Sequence, residues 1–326
     1  MDYILIEKEK YEIIDTLEYI TMADSFVKNK IGTGHGEAKL YVGNESERLL
    51  SFFSEIDSSD CFFKKSDFKE YLRNAKSEFL DPQQEYVRKS EMPKIYEQLE
   101  FAIDLLDKEI LTFGAYRVGV KPPRVYINSS SNYYDLLRTM GLPNISYISV
   151  LKIKNSHDRI FYYFKAFIDY KSDLVAYVFK EEEEQEERIY NDDKISDKIK
   201  TTLINSRIGQ GEYRKKLLEE CPFCPFTMVS DERLLVASHI KPWALSDDKE
   251  KVDPKNGFLF TPTYDRLFDR GFISFEDDKT LMVSPWISPM NQKRLEIYNG
   301  KIITALPLDD KRKKYLEFHR EYMFKY

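Results

Sequence analysis

The first part of the chain reads as helices followed by strands. Residues 8–30 carry scattered apolar positions and predict a helix. Gly32-Thr33-Gly34-His35-Gly36 then interrupts the pattern; no Lys-Ser/Thr follows and no clear strand precedes it, so turn chemistry makes it a flexible loop rather than a phosphate-binding one. Further helices are predicted over about 45–57 and 66–78, and Tyr96-Glu97-Gln98-Leu99-Glu100-Phe101-Ala102-Ile103-Asp104-Leu105-Leu106 repeats its apolar residues at helical spacing. Strands come next. Arg124-Val125-Tyr126-Ile127 follows a Pro-Pro pair, and residues 145–153, 159–169 and 174–180 are rich in Ile, Val, Tyr and Phe with polar turns between them, an antiparallel meander. Helices with an antiparallel sheet make an α+β class.

Residues 181–187 form an acidic block, Glu-Glu-Glu-Glu-Gln-Glu-Glu, and with Asp192-Asp193-Lys194 read as an exposed connector or as an acidic shield over a basic face. The expected organisation is an α+β domain over 1–180, an acidic linker over 181–200 and a second domain over 201–326, which suits a chain of 326 residues. No apolar run approaches the ~20 residues that span a bilayer, and the N-terminus lacks the basic and long apolar regions of a secretory signal. Three cysteines, Cys61, Cys221 and Cys224, are too few for a disulfide scaffold, so a reducing cytoplasm is expected. The net charge of −6 conceals an asymmetry: residues 201–326 hold 21 Lys and Arg against 19 Asp and Glu, and residues 1–200 hold 29 against 37. The slightly basic half is the one that permits contact with phosphates.

That half also carries the candidate chemistry. Leu234-Leu235-Val236-Ala237-Ser238-His239-Ile240 reads as a short strand ending in a histidine, and Pro242 ends its pairing. After a polar loop, Asp253-Pro254-Lys255-Asn256-Gly257 is a turn and Phe258-Leu259-Phe260 a second strand. Thr261 is a candidate cap for a helix over 264–270, which Gly271 ends. In this strand, loop, strand, helix order, Asp265 and Asp269 project from one helical face toward the histidine. Two carboxylates there suit a hard cation such as Mg²⁺, and an imidazole with an ordinary pKa of roughly 6.5 suits deprotonation of water. Singly, each residue also has an ordinary structural use. His239 could be a strand-end histidine, Asn256 a turn residue, and the two aspartates partners of Arg266, Arg270 or Lys255.

The ordered blocks resemble the HNH nucleases of the restriction-enzyme type, with their ββα-metal active site. The resemblance rests on Ala237-Ser238-His239-Ile240-Lys241-Pro242-Trp243, on the turn at 253–257, and on Tyr264-Asp265-Arg266-Leu267-Phe268-Asp269-Arg270-Gly271-Phe272-Ile273-Ser274-Phe275. Gly209-Gln210-Gly211-Glu212-Tyr213-Arg214 resembles the helix that precedes such a core, and Tyr315-Leu316-Glu317-Phe318-His319-Arg320 the closing helix, so about residues 205–326 are covered. The resemblance implies His239 as general base, Asn256 as the catalytic-set asparagine that holds the loop, and Asp265 and Asp269 as metal residues for Mg²⁺ or Mn²⁺. Ser238 stands where the family often has an Asp or His ligand, and the final histidine of the family name is absent, with Tyr264 and Asp265 in its neighbourhood.

Gln210, Arg214, Lys215, Lys241, Arg266 and Arg270 are the candidate DNA-binding residues. Arg312, Lys313 and Lys314 read as a solvated helix face, His319 as a packing or hydrogen-bonding residue, and His157 as a turn residue. Cys221-Pro222-Phe223-Cys224 lacks the second close pair of a structural zinc site and reads as packed or exposed thiols. Tyr147, Phe161, Tyr162, Tyr163 and Phe164 are either sheet core or a platform for an extruded base. The expected function is a restriction or phage-defence endonuclease acting on double-stranded DNA, the first domain selecting a sequence or a modified base. Two-strand cutting would call for a homodimer. The alternatives are an effector nuclease activated by a signal or partner, and a DNA-binding protein on a scaffold that has lost catalysis.

Overall fold

A computed structural model describes residues 3–33, 36, 38–118, 123–168, 212–247 and 249–326. The chain divides into two compact units, Met1–Val175 and Ala176–Tyr326. The acidic block at 181–187 and the strand expected at 174–180 lie outside the described residues.

The first unit is built on a six-stranded sheet. Its strands are β1 (Tyr3–Ile6), β2 (Glu9–Thr21), β4 (Asp60–Lys64), β5 (Ile110–Phe113), β8 (Ser146–Lys154) and β9 (Ile160–Ile168), in the order β1-β2-β8-β9-β4-β5. A second sheet, β3 (Leu40–Asn44), β7 (Arg124–Asn128) and β6 (Tyr116–Val118), has the order β3-β7-β6. Helices α1 (Glu47–Phe52), α2 (Lys65–Leu80), α3 (Met92–Asp104) and α4 (Asn132–Met140) complete the unit. Asp24, through Oδ1 and Oδ2, accepts from the amides of Ile31 and Gly32, anchoring the start of the glycine-rich stretch, part of which is outside the described residues.

Two expectations are corrected here. Residues 8–30 are not helical, because Glu9–Thr21 is a single long strand. Its Ile, Thr and Tyr content favours extended backbone. Register shifts between Ile13 and Asp15 and between Leu17 and Ile20, with Tyr19 at φ 55°, break the two-residue alternation and leave an apolar spacing that imitates a helix. The chain therefore opens on strands, and β9, antiparallel to β8, pairs parallel with β4. Both faces of β8 and β9 are buried. Tyr147, Tyr162, Tyr163 and Phe164 are 7% exposed or less, so they are core and not a stacking platform. His157 sits in the β8–β9 turn, where Asn155 Oδ1 accepts from its amide.

The second unit packs short elements around a core that includes Phe258, Phe260, Phe268 and Phe275. Helix α5 (Glu212–Glu220) precedes the hairpin of β10 (Val236–His239) and β11 (Gly257–Phe260); α6 (Pro262–Asp269) follows directly. Strands β12 (Ile273–Phe275) and β13 (Leu281–Val283), α7 (Pro289–Arg294) and α8 (Asp310–Phe318) close the unit. The expected strand, loop, strand, helix order is present. Thr261 occupies the cap position of α6 without a side-chain capping bond, and Pro262 supplies the fixed φ of the first turn. Gly271, at φ 68°, ends the helix while the Phe272 amide bonds back to the Leu267 carbonyl at 2.8 Å, a left-handed termination that favours glycine.

Candidate active site

The β10–β11 register decides which side chains meet. Ser238 faces Phe258 and His239 faces Gly257 across the ladder. Directly opposed residues share a face and neighbours alternate. Ser238 therefore lies on the Phe258 side, where Phe258 packs on Phe268 of α6, ring centroids 5.9 Å apart. His239 lies on the Gly257 side, where its ring stacks on Tyr213 of α5 at 4.2 Å and 12°. A Cβ at Gly257 would fall 1.9 Å from the Tyr213 hydroxyl, so this close approach requires glycine. The same hydroxyl donates to the Asn256 carbonyl at 3.0 Å.

His239 Nε2 is 3.1 Å from the carbonyl of Lys251. A carbonyl only accepts, so Nε2 carries the proton and Nδ1 keeps the lone pair in the neutral ring. Burial pushes the imidazole down to about 4, although the Lys251 carbonyl pulls it back up. The ordinary pKa expected from the sequence is thus corrected: the half-buried ring is neutral throughout the physiological range.

Asn256 is fully buried. Its Nδ2 donates toward the carbonyls of Lys241 and Glu250, both at 3.2 Å, and toward Ser246 Oγ at 3.1 Å; its Oδ1 accepts from the Lys241 amide at 2.8 Å. Every polar atom of the side chain is engaged within the loop between the strands. By fixing the Glu250 carbonyl it also fixes the neighbouring Lys251 carbonyl that orients His239. Asn256 is therefore placed as a positioning residue.

Asp265 and Asp269 stand one turn apart on α6. Burial raises Asp265 to about 6; the Ser238 hydroxyl, hydrogen-bonded to it, pulls down, and the Asp269 charge pushes further up. Asp269 reaches solvent, but the protein around it still raises its pKa by desolvation, against the pull of Arg270 and Arg266. Among the described residues neither carboxylate is held in an ion pair, and no three His, Cys, Asp or Glu side chains converge. The expectation that both aspartates project toward the histidine is corrected: Asp265, with Asp269 one turn on, lies on the Ser238 face of β10, and His239, the last residue of that strand, leaves the opposite face toward Tyr213 because neighbouring strand residues alternate. The donors on the first face are two carboxylates and a hydroxyl, all hard oxygens, with Arg266 and Arg270 near enough to act on the carboxylates only through their charge. That donor set fits Mg²⁺ or Mn²⁺.

The basic residues divide. Arg214 donates to the Leu235 carbonyl at 2.7 Å and to that of Glu232, clamping the approach to β10. Lys241 pairs with Glu250 at 2.6 Å. Lys215 and Arg266 are exposed, Arg270 is half-buried, and Gln210 lies outside the described residues. Lys255 pairs with Glu220 at 3.0 Å and Asp309 at 3.3 Å, not with the α6 carboxylates. Arg312 corrects another expectation: it is 2% exposed and binds Glu220 and Asp309, each at 2.7 Å, with further bonds to the carbonyls of Gly257 and Pro254. It ties the closing helix to the loop that ends at β11. Cys221 and Cys224 are buried free thiols, and His319 is buried with Nδ1 3.0 Å from Ser274 Oγ and Nε2 3.0 Å from the Phe268 carbonyl.

Sequence reasoning missed Tyr213 and the Lys251 carbonyl. Tyr213 could have been flagged by its four-residue spacing from Leu217, which marks the buried side of α5. No sequence signal identifies a backbone carbonyl.

Residues 224–276 match the model of the HNH endonuclease family. The C-terminal unit thus carries an HNH endonuclease domain, and the match spans His239, Asn256, Asp265 and Asp269. No curated protein matches the chain. Among the described residues no helix is long and apolar enough to cross a membrane.

Proposed function

We propose that this protein is a metal-dependent endonuclease that hydrolyses phosphodiester bonds in double-stranded DNA, acting in restriction or phage defence, with its first unit selecting the target sequence or modified base. The observation that carries the reading is the pair of carboxylates one turn apart on α6, with Asp265 hydrogen-bonded to Ser238 of β10, whose next and last residue is an imidazole of fixed tautomer.

In this reading Asp265 and Asp269 would hold Mg²⁺ or Mn²⁺, with the Ser238 hydroxyl orienting Asp265. A divalent cation there would polarise the phosphate and offset charge on the departing 3′ oxygen. His239 takes a proton from the attacking water at Nδ1, while Lys251 holds the ring through Nε2. A neutral imidazole of low pKa is a weak base. Lys215 on α5 and Arg266 on α6, both exposed, would contact phosphates and position the duplex. The buried free cysteines suit a reducing cytoplasm, and cutting both strands calls for two copies of the site.

The test is incubation of the full chain with unmodified and methylated plasmid, with chelator, Mg²⁺ or Mn²⁺. Cutting only with the divalent ion supports the reading. Binding without cutting on every substrate would make the domain a DNA-binding scaffold instead. Indifference to sequence and methylation would refute target selection by the first unit.

A further inference from the structure

The first unit contains a cavity of about 230 Å³, lined by residues of the β1–β2 hairpin and of β4, β5 and β9. That is room for a small organic group. Tyr11, Phe62 and Phe161 give it aromatic walls, and Tyr11 meets Phe161 edge to face at 5.5 Å. Glu7, Glu9 and Asp60 also line it, and none of its lining residues is cationic. The Tyr11 hydroxyl donates to Glu9 at 2.9 Å, and burial, that hydrogen bond and then the charges of Glu9 and Glu7 push its pKa up to about 12. The same walls already attract one cation from the chain: the Arg159 guanidinium stands 5.3 Å over the Phe161 ring and pairs with Asp60.

We propose that this aromatic, carboxylate-lined cavity binds a small organic cation, an alkylated ammonium or a guanidinium, held by ring faces and by Glu7 and Glu9. Aromatic rings attract cations through their quadrupoles, and the carboxylates add charge pairing at the rim. An extruded base would bring its flanking phosphates toward those carboxylates, so a nucleotide ligand is disfavoured by like charge. The inference does not depend on the nuclease reading.

Calorimetric titration of the full chain with choline, beside its uncharged carbon isostere 3,3-dimethylbutanol and beside deoxycytidine monophosphate, tests it. The cation should bind saturably and the two others should not. Glu7→Gln/Glu9→Gln, on exposed side chains, should weaken choline about tenfold, and so should Tyr11→Leu. Absence of saturable choline binding, equal binding of the neutral isostere, preference for the nucleotide, or unchanged affinity in both variants would each overturn the proposal.

Discussion

Asp265→Asn should stabilise the metal-free protein while abolishing its chemistry. The folded carboxyl rises from 3.8 to about 6, with burial as the first cause. A carboxyl whose pKa is higher folded than unfolded costs stability above pH 6, and that cost disappears as the pH falls toward 4 and the folded state takes up the proton first. At about 1.4 kcal/mol per pH unit the ceiling is about 3 kcal/mol. The side chain is half-buried, so solvent screening reduces the expected gain to about 1–2 kcal/mol. The assay is urea unfolding in chelator at pH 7.5 and pH 4, followed through the C-terminal unit. The variant should be more stable at pH 7.5 and equal to the parent at pH 4. Mg²⁺ should stabilise the parent, since a ligand of the folded state alone shifts unfolding, but not the variant. Asp253→Asn serves as the opposite control. Burial alone would raise Asp253, but Lys311, the Lys255 amide and Tyr315 hold its carboxylate below the usual range, so this variant should lose stability. An Asp265→Asn variant no more stable than the parent at pH 7.5 would refute the idea that burial outweighs the Ser238 hydrogen bond and the Arg266 charge at this position.

Three further outcomes follow from the same contacts. Arg312→Met removes the buried partner of Glu220 and Asp309, which Lys255 still pairs, and leaves the Gly257 carbonyl without its donor; it should cost about 1–3 kcal/mol in urea unfolding, and an unchanged midpoint would mean the network is dispensable. Gly257→Ala should cost about 1–3 kcal/mol by collision with the Tyr213 hydroxyl, and Tyr213→Phe should restore part of the loss; no rescue would show that the close approach is not the cause. Burial holds folded His319 near 4 against an ordinary value of 6.5, so its contribution, complete above pH 6.5, is lost as the pH falls toward 4, by up to about 3 kcal/mol. Asp265 runs with the opposite sign over the same window, so the slope is read in the Asp265→Asn background; a His319→Gln variant with the same slope would refute the assignment.

The C-terminal order was legible because each boundary has its own local chemistry: a proline after the histidine, a turn sequence ending at Gly257, a threonine and proline opening α6 and a glycine closing it. The carboxylate pair was legible because four residues make one helical turn. Other features depend on partners distant in sequence. Arg312 sits in a run of basic residues that looks solvated, and only the approach of Glu220 and Asp309 buries its guanidinium. The orientation of His239 depends on a carbonyl that the Asn256 amide holds indirectly. Glu9–Thr21 was unreadable as a strand because two irregularities shift its side-chain alternation. Ser238 was read as a departure from the usual ligand, whereas in the fold it is the hydroxyl beside Asp265.

The most direct test is single-turnover cleavage of plasmid DNA in Mg²⁺ by the parent and by His239→Ala. Loss of the base should slow cutting about 10²–10⁴-fold while DNA binding and the unfolding midpoint stay near those of the parent. Cutting at the parental rate by His239→Ala would contradict the role of this imidazole and, with it, the reading of the site.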